Sequence, residues 1–214
     1  MTEISMFFDP IQDEHGNYDR EYNAQEFTTY FKVLVTSGVI KNAEGGLKVD
    51  TNGTNMITTV DTGIGFVEGK YYQNLAPKNL THDTESLGLN RIDRVVLRKD
   101  LSVERRDVRA EVKKGVPSAN PTPPQLEQSE IVWEIPLAQV KIVGGQTYIN
   151  PEDVIDEREW AKSKILPDTT TALENHINDP LPHSFVDENG VKHNYGWVVE
   201  SGILKFQYKE AEEQ

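Results

Sequence analysis

The sequence predicts a mainly β protein: an antiparallel β-sandwich with one N-terminal amphipathic helix, followed by a small C-terminal helix and a three-stranded β-meander. Three observations carry this. Between residues 46 and 143, short stretches rich in β-branched residues alternate with Gly, Asn and Asp turn signals at even spacing. One segment, from Asn23 to about Ser37, places apolar residues at helical spacing between a start and a stop signal. The stretch "HSFVDENGVKHNYGWVVESGILKFQYKE" contains three alternating runs divided by Asn189-Gly190 and Ser201-Gly202. These features suggest a structural domain over residues 1–158 and an extension over 159–214.

In the helix, Asn23 caps the first turn and Glu26 completes a capping box, while Tyr22 and Phe27 have the spacing of a hydrophobic staple. Ala24, Phe27, Phe31 and Leu34 recur on one face, expected to pack on the core, and Gly38 stops the helix. "GLKVD" and "NMITTVD" then read as strands, and "IGFVEGKYYQN" as a hairpin turning at Glu68-Gly69. "LNRIDRVVLRKDLSVERRDVRAEVKKG" reads as two further strands that turn near residues 100–102. "EIVWEIPLAQVKIV" is a strand in which Pro136 requires an edge or a bulge. Before it, Val116 to Gln125 holds four prolines and is stiff and extended. It is read as a surface loop, with an arm toward a neighbouring subunit as the alternative. "PEDVIDEREW" is acidic and reads as a helix, and "TTTALENHIND" as the small C-terminal one. With Asn189-Gly190 as a two-residue turn, His193 pairs with Val186.

The chain has 214 residues, a net charge of −13 and no cysteine, so disulfides, thiolate zinc sites and cysteine nucleophiles are excluded. The acidic "MTEISMFFDPIQDE" is not a secretory signal, and no apolar run approaches a bilayer span, so a soluble chain without membrane insertion is expected. Residues 91–114 hold nine Lys/Arg against five Asp/Glu, a net of +4, leaving −17 elsewhere. Their signs alternate and no aromatic interrupts them, which favours cross-strand ion pairing over nucleic-acid binding.

Catalytic motifs fail. In "GIGFVEG" the last glycine falls one position late for a dinucleotide fingerprint and no helix follows. There is no phosphate-binding lysine loop and no nucleophile elbow. His15, His82, His176, His183 and His193 lack metal-ligand spacing, so neither metal nor cofactor is expected. Asp9, Asp61, Glu68 and Asp93 keep a two-carboxylate glycosidase reading open, but no rule singles out a pair.

The ordered series "DREYNAQEFTTYF…SGVI", "GLKV", "GIGFVEGKYYQN", "LNRIDRVVLRKDL", "AEVKKGVPSANPTPPQL" and "WEIPLAQVKIVGG…INPEDVIDER", over about residues 18–158, resembles tail and baseplate proteins of siphophages and prophages of Gram-positive bacteria. The resemblance implies a non-enzymatic virion component at the tail tip, with β-sandwich domains. It also implies a symmetric homo-oligomer, with trimer or hexamer favoured, and other tail proteins as partners. Within it, Arg94, Arg98, Arg105, Arg106 and Arg109 are candidates for subunit contact. The alternative is a receptor-binding module for host cell-wall saccharide, with Tyr71, Tyr72, Trp160 and Trp197 as stacking candidates.

Overall fold

The computed structural model describes residues 3, 5–165, 176, 178, 179, 181, 183–200 and 203–211. The chain divides into two compact units, Met1–Lys164 and Ile165–Gln214. The first extends past residue 158 because Trp160 and Ser163 still pair with its backbone, at Val39 and Val35. The described structure is mainly β, with antiparallel sheets and one α-helix, α1 (Ala24–Leu34).

In α1 the Asn23 side chain accepts from the Gln25 and Glu26 amides, and Glu26 accepts from the Asn23 amide, closing the capping box. The staple is present as well, with the Tyr22 and Phe27 rings 6.3 Å apart. The aromatic stripe, however, is not a core face. Thr28 is the buried residue of the helix, while Phe27, Tyr30 and Phe31 are each more than a third exposed. The helix is held by its small side: Gly69 approaches so closely that an added Cβ would lie 2.3 Å from the Thr28 carbonyl oxygen. That contact turns the ring-bearing face outward, where Phe7 covers part of it, 4.8 Å from the Tyr30 ring.

Small strands form two three-stranded sheets. One has the order β1 (Gly38–Val39), β4 (Gly63–Val67), β5 (Lys70–Asn74); the other β2 (Val49–Asp50), β3 (Ile57–Val60), β6 (Lys78–Thr81). The β4–β5 hairpin turns at Glu68-Gly69, both with positive φ, as a two-residue primed turn requires. The third sheet has the order β10 (Val154–Asp156), β9 (Val132–Ile142), β7 (Arg91–Asp100), β8 (Asp107–Lys113).

In β7 the inward residues are Arg91, Asp93, Val95, Leu97 and Lys99. Val95 and Leu97 join Ala110, Ile135, Ala138, Val140 and Ile142 in a core shared with Val39, Leu47, Val49, Val60, Val67 and Leu80. Register shifts between Val95 and Val96, which face Ala138 and Pro136, so Leu137 is the extra residue of a bulge. The bulge accommodates a proline with no amide to donate inside an interior strand. The proline-rich segment lies on its own sheet: Ser118 donates to Asn90, Pro124 accepts from Arg94, and the Glu134 amide donates to Glu127.

Two further sequence expectations are corrected. "PEDVIDEREW" is not a helix but a 3₁₀ turn (Pro151–Asp153), strand β10 and an extended run to Trp160. Its Val154, Ile155 and Asp156 complete the hydrogen bonding of β9, and Glu157 takes the Arg94 guanidinium, so tertiary pairing overrides local propensity. In the second unit β11 (His183–Val186), β12 (Lys192–Glu200) and β13 (Ile203–Glu210) form the expected meander, but His193 pairs with Phe185. The loop has three residues, Glu188 to Gly190, because the Asp187 side chain accepts from the Asn189 and Val191 amides and Gly190 adopts φ +83. The expected helix over "TTTALENHIND" lies almost wholly outside the described residues.

Gly69→Ala should destabilise the first unit by about 2 kcal/mol or more, since φ +77 and the Thr28 carbonyl both oppose a Cβ. Urea denaturation with unchanged slope would check it.

Candidate functional site

The outward face of the four-stranded sheet carries most of the ribbon's charge, and its cations are largely paired with carboxylates of the same unit, several of them outside the ribbon. Glu134, 1% exposed, accepts from Arg98 Nη1 at 2.6 Å, Lys113 Nζ at 2.6 Å and the Glu127 amide at 2.7 Å. Burial pushes its carboxyl up, but the bonds from Lys113, the Glu127–Glu134 backbone contact and Arg98 outweigh that and hold it below its ordinary value. Arg94 grips Glu157 with two nitrogens, at 2.8 and 3.0 Å. Of the five arginines expected at a subunit contact, Arg94 and Arg98 are thus engaged within the chain. Arg105 pairs with Glu111 at 2.9 Å and Arg109 with Asp107, both at more exposed positions, and Arg106 lies in the turn with φ +51.

A second cluster lies on the inward face. Thr58 Oγ1 is 3.0 Å from His82 Nε2, His82 Nδ1 is 2.9 Å from Asp93, and Asp93 accepts from Arg91 Nε at 2.8 Å and the Gly115 amide at 2.9 Å. Burial pushes the Asp93 carboxyl up, yet hydrogen bonds from His82, Arg91 and Gly115 prevail and hold it below its ordinary value. An ionised Asp93 only accepts, so His82 Nδ1 donates to it and, in the neutral ring, Nε2 accepts from Thr58. The order hydroxyl, imidazole, carboxylate is that of a nucleophilic triad, but Thr58, His82, Arg91 and Asp93 are all 2% exposed or less. With no room for a substrate at Thr58, this relay binds β3, the residues after β6, β7 and Gly115 to one another.

The four carboxylates of the glycosidase reading take separate partners: Asp61 the Thr62 amide, Glu68 the Lys32 ammonium, Asp93 the relay, while Asp9 is exposed. Among the described residues no group of three or more acidic or histidine side chains is placed to hold a metal ion, and no helix is long and apolar enough to cross a membrane.

The four aromatic candidates do not form one surface. Tyr71 and Tyr72 alternate along β5; the Tyr71 ring is half exposed, whereas Tyr72 packs on the core, where burial pushes its phenol up against the lowering effect of the Ala110 backbone bond. Trp160 lies under the Arg158 guanidinium, 5.0 Å from the ring. Trp197 belongs to the second unit and is 62% exposed.

Around Trp197 the meander is divided by face. His183 and Phe185 of β11, His193, Tyr195 and Trp197 of β12 and Phe206 of β13 share one side in register. Their rings are in contact: Phe185 with His193 at 5.1 Å, Tyr195 with Phe206 at 5.6 Å, Trp197 with Phe206 at 5.3 Å. Ser184, Val186, Lys192, Asn194, Lys205, Gln207 and Lys209 occupy the other side, which is mostly polar. Phe185 and Phe206 stay 42% and 49% exposed, so the meander presents an open aromatic face.

Tyr71 and Arg106 meet in the first unit, lining an open cavity of about 360 Å³ with Lys70, Lys99 and Leu101. The last three also line a larger cavity of about 840 Å³ with Lys32, Lys164, Glu68, Gln25, Gln128 and Trp133. Sequence reading missed Lys99 by counting it only as ribbon charge. Its odd parity with Val95 and Leu97 is the signal that places it on the inward face.

Compared with known proteins, the chain matches no family model, no curated protein and no solved structure.

Glu134→Gln should cost about 3 kcal/mol, because it removes the anion between two partly buried cations. Since the Glu134 and Asp93 carboxyls lie below their ordinary values when folded, the unfolded chain binds more protons in acid. Their stabilisation is complete above their ordinary values of 4.5 and 3.8 and is lost as pH falls through the folded values. Denaturation from pH 6 to pH 3 should show stability dropping toward acid, with a shallower drop in Glu134→Gln.

Proposed function

We propose that this chain is a non-enzymatic structural component of a phage tail tip or baseplate, which assembles with itself and with other tail proteins in the virion. The observation that carries the reading is the open aromatic face of the meander. A three-stranded sheet whose aromatic side is partly exposed is marginally stable alone and gains by covering that side. Aromatic residues are the side chains most enriched at protein–protein contacts, where large rigid rings bury much area for little entropy.

On this reading the first unit is a β-sandwich whose charged ribbon serves its own rigidity, and the subunit contact is made chiefly through rings. Of the five arginines, Arg105, Arg106 and Arg109 are then the ones left to tune the contact from its rim. The resemblance of residues 18–158 to tail and baseplate proteins points the same way.

Light scattering on a size-exclusion column over a concentration series tests it. A stable multiple of the 24.2 kDa chain, above all a trimer or hexamer, is expected, and Trp197→Ser with Phe206→Ser should reduce it to monomer with unaltered circular dichroism. A strict monomer at every concentration for both proteins would remove self-assembly. Release of reducing sugar from wall polysaccharide would overturn the non-enzymatic part.

A further inference from the structure

Lys99 stands at a core position. It follows Val95 and Leu97 on the inward side of β7, faces Val108 on β8 and Trp133 on β9, and is 6% exposed. An ammonium there is costly unless paired, and burial lowers its proton affinity most, with Lys32 and Lys70 pushing the same way and Glu68 opposing. Yet no carboxylate bonds to it among the described residues. Its one hydrogen bond goes to the Glu130 carbonyl oxygen, at 3.3 Å, leaving two donors unused.

Lys70, half-buried beside it, makes no ion pair or hydrogen bond through its ammonium among the described residues. The contrast with the neighbouring ribbon is sharp, for Arg91, Arg94, Arg98, Arg105, Arg109, Lys113 and Lys114 all have carboxylate partners. Lys70, Lys99 and Leu101 line both cavities, so the two adjoin there, and these residues are the waist of a two-chambered groove. Five cations line that groove (Lys32, Lys70, Lys99, Arg106 and Lys164) against three carboxylates, Glu68, Glu130 and Asp107, in a chain of net charge −13. Glu68 is already held by Lys32.

We infer that this groove binds an anionic saccharide, with a phosphate or carboxylate group taken by Lys70 and Lys99. The anion supplies what the two ammonium groups lack, a desolvated acceptor at the waist. An aromatic side chain lines each cavity, Tyr71 the smaller and Trp133 the larger, and a sugar ring can stack on an aromatic ring through its C–H side. Gln25 and Gln128 line the larger cavity, and their side-chain amides make no hydrogen bond among the described residues. Each offers a donor and an acceptor side by side, the pattern that reads vicinal hydroxyls. The inference does not depend on the assembly reading, since the groove lies within the first unit.

The test is isothermal titration of the full chain with glucose 6-phosphate, glucuronate, glucose, inorganic phosphate and a short poly-glutamate. At least one of the two anionic sugars should bind about tenfold or more tighter than glucose, inorganic phosphate or poly-glutamate. The sugar that binds identifies the anion. Lys70→Met and Lys99→Met should each weaken it about tenfold or more, and Lys99→Met should leave the thermal midpoint unchanged or raised, since a desolvated charge is removed. Tyr71→Ala should weaken the sugar without changing inorganic phosphate. Saturation by neither anionic sugar, equal binding in Lys70→Met, or tighter binding of poly-glutamate would overturn the inference.

Discussion

The antiparallel pairing of β7 with β9 is the constraint on which the first unit depends. Ten residues of one strand face the other, and the bulge at Leu137 keeps both in register past Pro136. Without it, every side chain beyond the proline would change face. With it, Val95 and Leu97 stay opposite Ala138 and Ile135, while Arg98 stays opposite Glu134. One pair of strands therefore carries the apolar core on its inner side and the ionic network on its outer side.

Glu134 ties three separate segments to that outer side: β7 through Arg98, β8 through Lys113 and the stretch just after the proline-rich segment through the Glu127 amide. A single buried carboxylate with three charge-assisted or amide donors is satisfied, so its desolvation is offset rather than left standing. The relay from Thr58 to Arg91 plays the same part at the other end of the inner side. Both clusters use chemistry-bearing residues to hold a fold, which is why a hydroxyl, imidazole and carboxylate in series here do not amount to a catalytic device.

What the molecule leaves unsatisfied is then informative. Most cations of the ribbon are paired, and among the described residues two places stand out by what they leave open. One is the aromatic side of the meander, where Phe185, Trp197 and Phe206 are 42%, 62% and 49% exposed. The other is the waist at Lys70 and Lys99, where charge is uncompensated. Open area and uncompensated charge are the two kinds of deficit that another molecule can make good.

The sequence by itself determined the β class, the single capped helix, the primed turn at Glu68-Gly69 and the need for an irregularity at Pro136. Each is written in residues a few positions apart, where caps, turn dihedrals and a missing amide act locally. Only the tertiary structure decided which side of the helix is buried, because that depends on Gly69 meeting Thr28 from another element. It likewise made a strand of Val154–Asp156, since the edge of β9 offers hydrogen bonds that acidic, helix-like spacing cannot reveal. The hairpin at Asn189-Gly190 took three loop residues through side-chain bonds from Asp187. Of the groove, Tyr71 was marked in the sequence as a saccharide-stacking candidate and Arg106 for subunit contact, while Lys99 was hidden among like charges. Its significance arises only when Trp133, Val108 and Lys70 surround it, for burial and pairing are properties of residues distant along the chain.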